Sequence, residues 1–384
     1  MMRILKRAAV VFCSMIMFFI FCGRAIAEDI NIGFTGPLTG PAAYIGIDSL
    51  HGALIAAKEV NDAGGVMVAG KKYTVKIHSY DDEGNAAKAA AGMLRLKDKY
   101  NVPVIWQGLS AGLFGMMEKN EKMDILLIGF YRHPDANKRG NKLLLRYTGT
   151  SRSESESLAK GAIKILNPKS VAIFADVADY GKGAAAVYRE FFDKNGIKVV
   201  ATEWMDVRTQ TDFRGQLTKI KAAKPDVIMV TSYDEATAGV IKQAHELDIK
   251  IPFALSSGFQ AMGEKLTGPA LLEGYLKILE YQNKVPPHPA VERYRTKLYP
   301  AMNYKEPAGG YGPVVYATIH TIILAMQKAG TTTDAWKIRE AAPTVIPLPE
   351  RYATYGLQAW DVNGEATLEE PVGKYRNGVL AEVK

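Results

Sequence analysis

The chain has 384 residues, including 35 glycines, 18 prolines and two cysteines. Hydrophobic residues make up 48% of the chain and charged residues 23%. This composition excludes a wholly disordered protein and indicates about two packed domains. The formal net charge of +8 falls to +4 without the first 27 residues, which hold four basic residues and no acidic ones. A charge this mild gives no support to nucleic-acid binding.

The N-terminal segment, residues 1–27, has the pattern of a secretory signal peptide. Basic residues precede an apolar run from Ala8 to Cys22, which is short for a membrane span, and residues 25–27 form a small-x-small cleavage site. We expect cleavage after Ala27 and release into the periplasm. The alternatives are a buried or anchoring helix and a lipid on Cys22, which the bulky Phe21 disfavours. Both cysteines lie in this segment, so the mature chain has no disulfide, thiolate metal site or cysteine nucleophile.

Strand-like and helical segments alternate after the N-terminal segment. The predicted strands are 30–34, 73–80, 102–106, 125–128, 170–175, 198–203, 226–231 and 251–255. The predicted helices are 48–62, 86–99, 110–122, 153–166, 182–195, 212–223 and 235–247. Strands separated by helices predict right-handed crossovers and parallel sheets covered on both faces. Because there are too many units for one sheet, we expect an α/β fold of two doubly wound lobes, with a changeover near residues 146–152.

The last third of the chain departs from this alternation. Helices are predicted at 289–300, 311–329 and 334–341, followed by strands at 353–360 and 373–380. Such a tail could complete both lobes, so that the chain crosses between them three times. We therefore assign residues 28–147 and about 281–352 to the first lobe, and residues 148–280 and about 353–384 to the second.

The strongest catalytic candidate is a G-x-S-x-G pattern at residues 108–112, with Ser110 between a predicted strand and a predicted helix. A secreted α/β hydrolase with Ser110 as nucleophile would need a later acid and a later histidine. Of the later histidines, two lie inside predicted helices, one lies among prolines, and His133 follows Ser110 too closely. The alternative is that Ser110 caps the first turn of a helix and binds a carboxylate without attacking anything.

Motifs for cofactors and metals are weak. The glycine-containing segment 33–40 has neither a dinucleotide-binding nor a Walker spacing, and the six histidines are scattered. The acidic run 81–83 is better explained by a solvated turn than by a calcium loop. We therefore expect no cofactor and no metal.

Seven segments occur together in a specific order: 33–40, 52–65, 80–82, 179–183, 226–233, 311–313 and 360–365. In this order they resemble the type I periplasmic solute-binding proteins of branched-chain amino acid uptake, the leucine/isoleucine/valine-binding kind. The resemblance spans the mature chain. It implies two lobes joined by three hinge strands, a small-molecule carboxylate trapped between them, and delivery to an inner-membrane ABC permease. A ligand-sensing module for a membrane receptor would have the same fold and stays open as an alternative.

The resemblance also implies particular ligand-binding residues. The family serine that binds the ligand carboxylate falls on Ser110, and the tyrosine of the first loop falls on Tyr44. The two tyrosines of the second lobe fall on Tyr180 and Tyr233. These four positions divide the expected site between the two lobes, so that binding and closure are coupled.

Three positions depart from the family pattern. The loop after the fourth strand, usually small residues and a threonine, reads Tyr131-Arg132-His133. Two positions at which family members carry an acid for the ligand ammonium are Ser257 and Ser151, the latter followed by Arg152. A buried ammonium without a counter-charge is costly.

These departures predict a carboxylate ligand without an α-amino group, either aromatic or doubly anionic, with Arg132 or Arg152 as a cationic partner. Two alternatives stay open. One of Asp176, Asp234 and Glu235 could supply the missing negative charge, and the two arginines could be solvated or paired across the hinge. The candidate ligand-binding residues are Tyr44, Ser110, Tyr131, Arg132, His133, Arg152, Tyr180, Tyr233 and Ser257.

Overall fold

The computed structural model describes residues 28–283, 286–368 and 370–383. The predicted signal peptide and Cys22 lie outside the described residues. Within these ranges no helix is long and apolar enough to cross a membrane.

The described residues include fifteen strands and eleven α-helices. The strands are β1 (Glu28–Gly36), β2 (Val66–Val68), β3 (Lys71–Asp81), β4 (Val104–Gln107), β5 (Leu126–Gly129), β6 (Leu144–Arg146), β7 (Ser170–Asp176), β8 (Lys198–Met205), β9 (Val227–Thr231), β10 (Phe253–Leu255), β11 (Leu276–Ile278), β12 (Ala359–Trp360), β13 (Ala366–Thr367), β14 (Val372–Arg376) and β15 (Val379–Glu382). The helices are α1 (Ala43–Asp62), α2 (Ala86–Tyr100), α3 (Ser110–Met117), α4 (Ser151–Leu166), α5 (Asp179–Lys194), α6 (Arg214–Ala223), α7 (Asp234–Glu246), α8 (Ala261–Thr267), α9 (Pro289–Arg293), α10 (Tyr311–Ala329) and α11 (Ala335–Ala341).

The strands form two large sheets, which confirms the prediction of an α/β fold with two doubly wound lobes. The first sheet has the order β2-β3-β1-β4-β5-β6, and the second has the order β15-β14-β11-β10-β9-β7-β8. The chain crosses between the lobes after β6, after β11 and after β13, so there are three crossings. Each sheet is covered by helices, and its central strands β4, β5 and β9 are fully buried because both faces are packed.

Neither sheet is wholly parallel, because tight turns add antiparallel strands at the edges. β2 pairs antiparallel with β3, and β14 pairs antiparallel with β11 and β15. The single strand predicted at 373–380 is in fact a hairpin, since Asn377 and Gly378 take positive φ angles of 52° and 77°. Two such residues in succession form the tight turn that reverses a strand. The α-helix predicted over 110–122 ends at Met117. The helix predicted over 289–300 is α-helical to Arg293 and continues as a π-helix, Tyr294–Leu298.

The hairpin of β12 and β13 packs on the first lobe, although the sequence-based division assigned residues from about 353 to the second. Trp360 lies edge-on to Tyr147 with ring centroids 5.6 Å apart, and its indole N–H donates to the carbonyl of Arg146. Tyr355 and Leu357 are buried in the same core. Burial of these apolar side chains holds the segment on the first lobe, and the chain enters the second sheet only at β14.

Helices α1 and α10 pack closely at the centre of the first lobe. The Asp48 carboxylate accepts hydrogen bonds from the backbone N–H groups of Gly309, Tyr311 and Gly312 at 2.8–3.0 Å, and thereby caps the start of α10. A Cβ atom on Gly52 would overlap the carbonyl oxygen of Gly312. The contact fixes the two helices that carry Tyr44 and Tyr311 near their N-terminal ends.

Replacing Gly52 by alanine should therefore destabilise the protein. The new methyl group would overlap the backbone of α10, so the two helices must move apart. We expect a loss of about 1–3 kcal/mol in the free energy of unfolding, measured by urea denaturation. The matched control is Gly215→Ala in α6, where a Cβ would meet nothing within 4 Å. That variant should be neutral or slightly more stable because alanine is the better helix former. Equal losses in both variants would contradict the packing argument.

Candidate functional site

A cleft of about 620 Å³ lies between the two lobes. Its first-lobe wall comes from the start of α1, the loops after β3, β4 and β5, and the start of α10. Its second-lobe wall comes from the loops after β7, β8, β9 and β10. These loops follow the carboxyl ends of parallel strands, where α/β sheets bind small ligands.

Six of the nine predicted ligand-binding residues line this cleft. They are Tyr44, Ser110, Arg132, Tyr180, Tyr233 and Ser257. The structure therefore brings together predicted residues from three loops of the second lobe and from distant parts of the first, although their sequence positions span more than 200 residues.

The other three predicted residues lie elsewhere. Tyr131 is fully buried in the first-lobe core, with the Arg146 guanidinium 4.7 Å from its ring centre. The His133 ring packs edge-on against Phe114, away from the cleft. Arg152 lies at the surface, where its guanidinium pairs with carboxylates of the second lobe. Of these three consecutive residues, only Arg132 lines the cleft.

Ser110 is the first residue of α3, and its local structure depends on a side-chain amide. The Gln107 amide oxygen accepts a hydrogen bond from the backbone N–H of Leu109 at 2.8 Å, and its NH2 group donates to Thr35 and Asp82. This network fixes the turn that leads into the helix. The free N–H groups of the first helical turn then face the cleft, which favours an anion there.

The Ser110 hydroxyl is placed to donate a hydrogen bond and not to act as a nucleophile. Its oxygen accepts a hydrogen bond from the backbone N–H of His133 at 3.1 Å, so its proton is available for a ligand oxygen. The His133 imidazole, which a hydrolase would need as a base, contacts Phe114 instead. This geometry does not support the alternative of a hydrolase that uses Ser110.

Aromatic rings form much of the cleft wall. Tyr180 and Tyr233 of the second lobe have ring centroids 5.7 Å apart, and Phe130 and Tyr311 of the first lobe lie edge to face at 5.3 Å. The Tyr44 hydroxyl accepts a hydrogen bond of 3.1 Å from the backbone N–H of residue 234, which bridges the two lobes. Such walls suit a ligand with a flat or apolar body.

A buried carboxylate that sequence reasoning missed reaches the position of the absent family acid. Glu154 of α4 is about 1% exposed. Its Oε1 atom accepts hydrogen bonds from the Tyr180 hydroxyl at 2.9 Å and from the Ser257 backbone N–H at 2.6 Å. It therefore positions two residues of the cleft wall.

Three acids were candidates from the sequence for the missing negative charge, and they differ in whether they line the cleft. Asp234 turns away from the cleft, and its Oδ1 atom accepts hydrogen bonds from the backbone N–H groups of Gln260 and Gly263. Asp176 and Glu235 do line the cleft. Burial raises the pKa of Asp176, which weakens its tendency to carry a charge.

Arg132 carries three ion pairs with buried carboxylates. Its Nη1 atom lies 2.9 Å from Glu154 and 2.7 Å from Glu370, and its Nη2 atom lies 3.2 Å from Glu280. All four side chains are at most 4% exposed. Burial disfavours the guanidinium charge, but the three carboxylates outweigh this effect and hold the pKa of Arg132 well above its usual value. We call these four residues the Arg132 cluster.

The residues described by the structure include no group of histidine, cysteine, aspartate or glutamate side chains that could hold a metal ion.

Comparison with known proteins agrees with this geometry. The sequence model described as periplasmic binding protein matches residues 29–350. The chain belongs to the periplasmic binding protein family. It is 25% identical to the Leu/Ile/Val-binding protein BraC3 of Rhizobium johnstonii over 338 residues, which cover 85% of this chain and 88% of the relative. The resemblance to the leucine/isoleucine/valine-binding branch is thus confirmed.

Solved structures show the same fold. A leucine-binding protein LivK from Thermotoga maritima superposes with a TM-score of 0.80 at 22% identity, covering 92% of this chain and 98% of the other. An ABC transporter solute-binding protein from R. palustris in complex with benzoate gives the same TM-score at 16% identity, covering 93% and 96%. As a member of this family the protein is a solute-binding protein and not an enzyme.

Loss of the Arg132 charge should destabilise the protein in a pH-dependent manner. Arg132→Met leaves three buried carboxylates without their cation, and we expect a loss of about 3–5 kcal/mol at pH 8. Without the cation the pKa values of Glu280 and Glu370, which burial already raises, rise further, and stability from a raised pKa is lost as pH increases. The loss measured by urea unfolding should therefore be smaller at pH 5.

Arg152→Met is the matched control, because its ion pairs are exposed. We expect a change below about 1 kcal/mol at either pH. The importance of the Arg132 cluster would be refuted by similar losses in the two variants, or by a loss in Arg132→Met that grows toward acid pH.

Proposed function

We propose that this protein is the periplasmic component of an ABC importer and binds a small monocarboxylate that has an aromatic or apolar body and no α-amino group. It would close around this ligand by a hinge motion and deliver it to an inner-membrane permease. Cleavage after Ala27 would release the protein into the periplasm. The proposal rests on the arrangement of charge around the cleft.

One observation carries the choice of ligand. A carboxylate does reach the position of the family acid, since Glu154 hydrogen-bonds to the backbone of Ser257, but Arg132 lies 2.9 Å from the same carboxylate. A ligand ammonium at this position would have to compete with a buried guanidinium for its counter-charge. An amine-free ligand avoids that cost.

The cationic partner expected from the sequence also needs revision. Arg132 is neutralised by its carboxylates, and Arg152 lies at the surface in ion pairs with Glu156 and Glu190. Neither arginine is available for a second ligand anion, which disfavours a doubly anionic ligand. A single carboxylate would bind the Ser110 hydroxyl and the N-terminus of α3. The aromatic walls would hold the rest of the ligand, as the benzoate complex of the similar R. palustris protein also suggests.

A branched-chain amino acid is the second candidate. Relatives named Leu/Ile/Val-binding proteins match most of the chain. Asp176 and Glu235 line the cleft and could meet an ammonium group from another direction. The two candidates differ in a single chemical group, so a binding experiment separates them.

A thermal-shift screen of residues 28–384 tests the proposal. We expect benzoate, phenylacetate or a related monocarboxylate to raise the melting temperature, whereas leucine, isoleucine, valine and phthalate do not. A ligand at 100 times its Kd stabilises a protein by about 2.7 kcal/mol, which gives a clear shift. A response to leucine-like amino acids alone would overturn the amine-free ligand and leave the importer role standing.

Ser110→Ala should weaken binding of the monocarboxylate found in that screen. The variant removes one hydrogen bond to a charged oxygen, so we expect a loss of about 1–3 kcal/mol in binding free energy by titration calorimetry. Ser79→Ala, at an exposed position of β3, is the control and should bind like the wild type. An unchanged Kd in Ser110→Ala would remove Ser110 from the site.

A further inference from the structure

Two side chains at the cleft contact the opposite lobe directly. The Tyr44 hydroxyl of the first lobe accepts a hydrogen bond of 3.1 Å from the backbone N–H of Asp234 in the second lobe. The ring of Tyr233, the residue before Asp234, packs against the hydrophobic core of the first lobe. We call this contact of Tyr44 with Tyr233 and Asp234 the interlobe contact.

In the interlobe contact, a side chain of the first lobe caps a helix of the second lobe. Asp234 is the first residue of α7, and Tyr233 at the N-cap position forms no side-chain capping hydrogen bond. The first N–H groups of a helix have no partner within the helix and need an acceptor from elsewhere. The Tyr44 oxygen supplies this acceptor from across the cleft.

Both sides of the interlobe contact are held firmly within their own lobes. A Cβ atom on Gly46 would overlap the carbonyl oxygen of Pro37, so the start of α1 packs tightly on the loop after β1. The Asp234 carboxylate accepts hydrogen bonds from the backbone N–H groups of Gln260 and Gly263, which fixes the start of α7 on the start of α8. The contact therefore forms or breaks with the movement of whole lobes and not with a change in one loop.

The interlobe contact lies outside the segments that connect the lobes. Tyr44 follows β1 and Asp234 follows β9, and each of these strands has a neighbour on both sides in its sheet. A hinge motion that separates the lobes must therefore break the hydrogen bond between Tyr44 and Asp234. The contact is thus specific to the closed arrangement.

We propose that Tyr44 is a latch between the lobes: its contact with α7 maintains a population of closed protein without ligand and raises the affinity for ligand through this population. The inference rests on the hinge motion of the proposed function. The family resemblance implies that Tyr44 contacts the ligand. In this chain the ring lines the cleft, but the hydroxyl oxygen is bound to the second lobe. Tyr44 is therefore a positioning residue for the two half-sites.

A contact that stabilises the closed form also strengthens ligand binding. When the closed form is a minor species, the apparent Kd equals the Kd of the closed form divided by the closed fraction. Loss of one intramolecular hydrogen bond lowers an equilibrium constant by about threefold to tenfold. Tyr44→Phe should therefore lower the closed population of the ligand-free protein by this factor and raise the apparent Kd by the same factor.

Distance measurement between spin labels tests the latch without any ligand. Residues 28–384 contain no cysteine, so Ala87→Cys in α2 and Arg189→Cys in α5, both exposed, provide one labelling site in each lobe. Double electron–electron resonance should show two populations, of which the shorter has the distance of the closed structure. Tyr44→Phe should reduce the shorter population by about threefold to tenfold.

Tyr299→Phe is the matched control, because it removes a tyrosine hydroxyl whose hydrogen bonds stay within the first lobe. The Tyr299 hydroxyl donates to the carbonyl of Glu306 at 2.9 Å and contacts the His51 ring. The distances in this variant should be those of the wild type. A ligand-free wild type without the shorter population, or wild-type populations in Tyr44→Phe, would overturn the proposal.

The monocarboxylate found in the thermal-shift screen provides a second readout. We expect Tyr44→Phe to raise Kd by about threefold to tenfold, mainly through faster dissociation, because a less stable closed form opens sooner. A loss of affinity without a change in the ligand-free distances would assign the hydroxyl to the ligand and refute the latch. Because the distance measurement uses no ligand, failure of the screen contradicts the proposed ligand and not the latch.

Discussion

The segments that connect the two lobes meet at one buried guanidinium, which forms ion pairs with three carboxylates. Arg132 contacts Glu154 just after the first crossing, Glu280 in the second and Glu370 in the third. A hydrophobic contact at this place would hold the lobes together equally in any medium. An ion cluster is different, because its stability depends on water, on protonation and on the number of nearby charges. The same guanidinium lines the cleft, so the segments that connect the lobes lie next to the candidate site.

The two lobes present different groups to the cleft. The first lobe presents the start of α3 and the Ser110 hydroxyl, which favour an anion, and its rigid packing of α1 against α10 fixes two aromatic side chains. The second lobe presents Tyr180, held by Glu154 at the edge of the hinge. Neither lobe encloses a ligand alone. A hinge motion, as in the proposed function, would bring the two half-sites together.

Much of the fold could be predicted from the sequence, because long amphipathic segments carry their own signal. Helix α10 was predicted over residues 311–329 and has those bounds in the structure. Strands β2, β6 and β11 were missed, since three residues are too few to show an alternating pattern. The Arg132 cluster could not be predicted, since Arg132 and Glu370 are 238 positions apart and no local pattern links them. Glu154 lay in a segment that reads as the polar start of a helix.

Two departures from the family pattern lie far apart in the sequence but contact the same side chain in the structure. The loop after β5 has a bulky arginine where family members have small residues, and position 257 has serine where they have an acid. Both positions meet at Glu154, which accepts a hydrogen bond from the Ser257 backbone and pairs with Arg132. The carboxylate beside position 257 in this chain therefore comes from α4 and is paired with a buried guanidinium. Under the proposed function, such a site disfavours a ligand ammonium, because the carboxylate that would pair with it is already paired with a buried guanidinium.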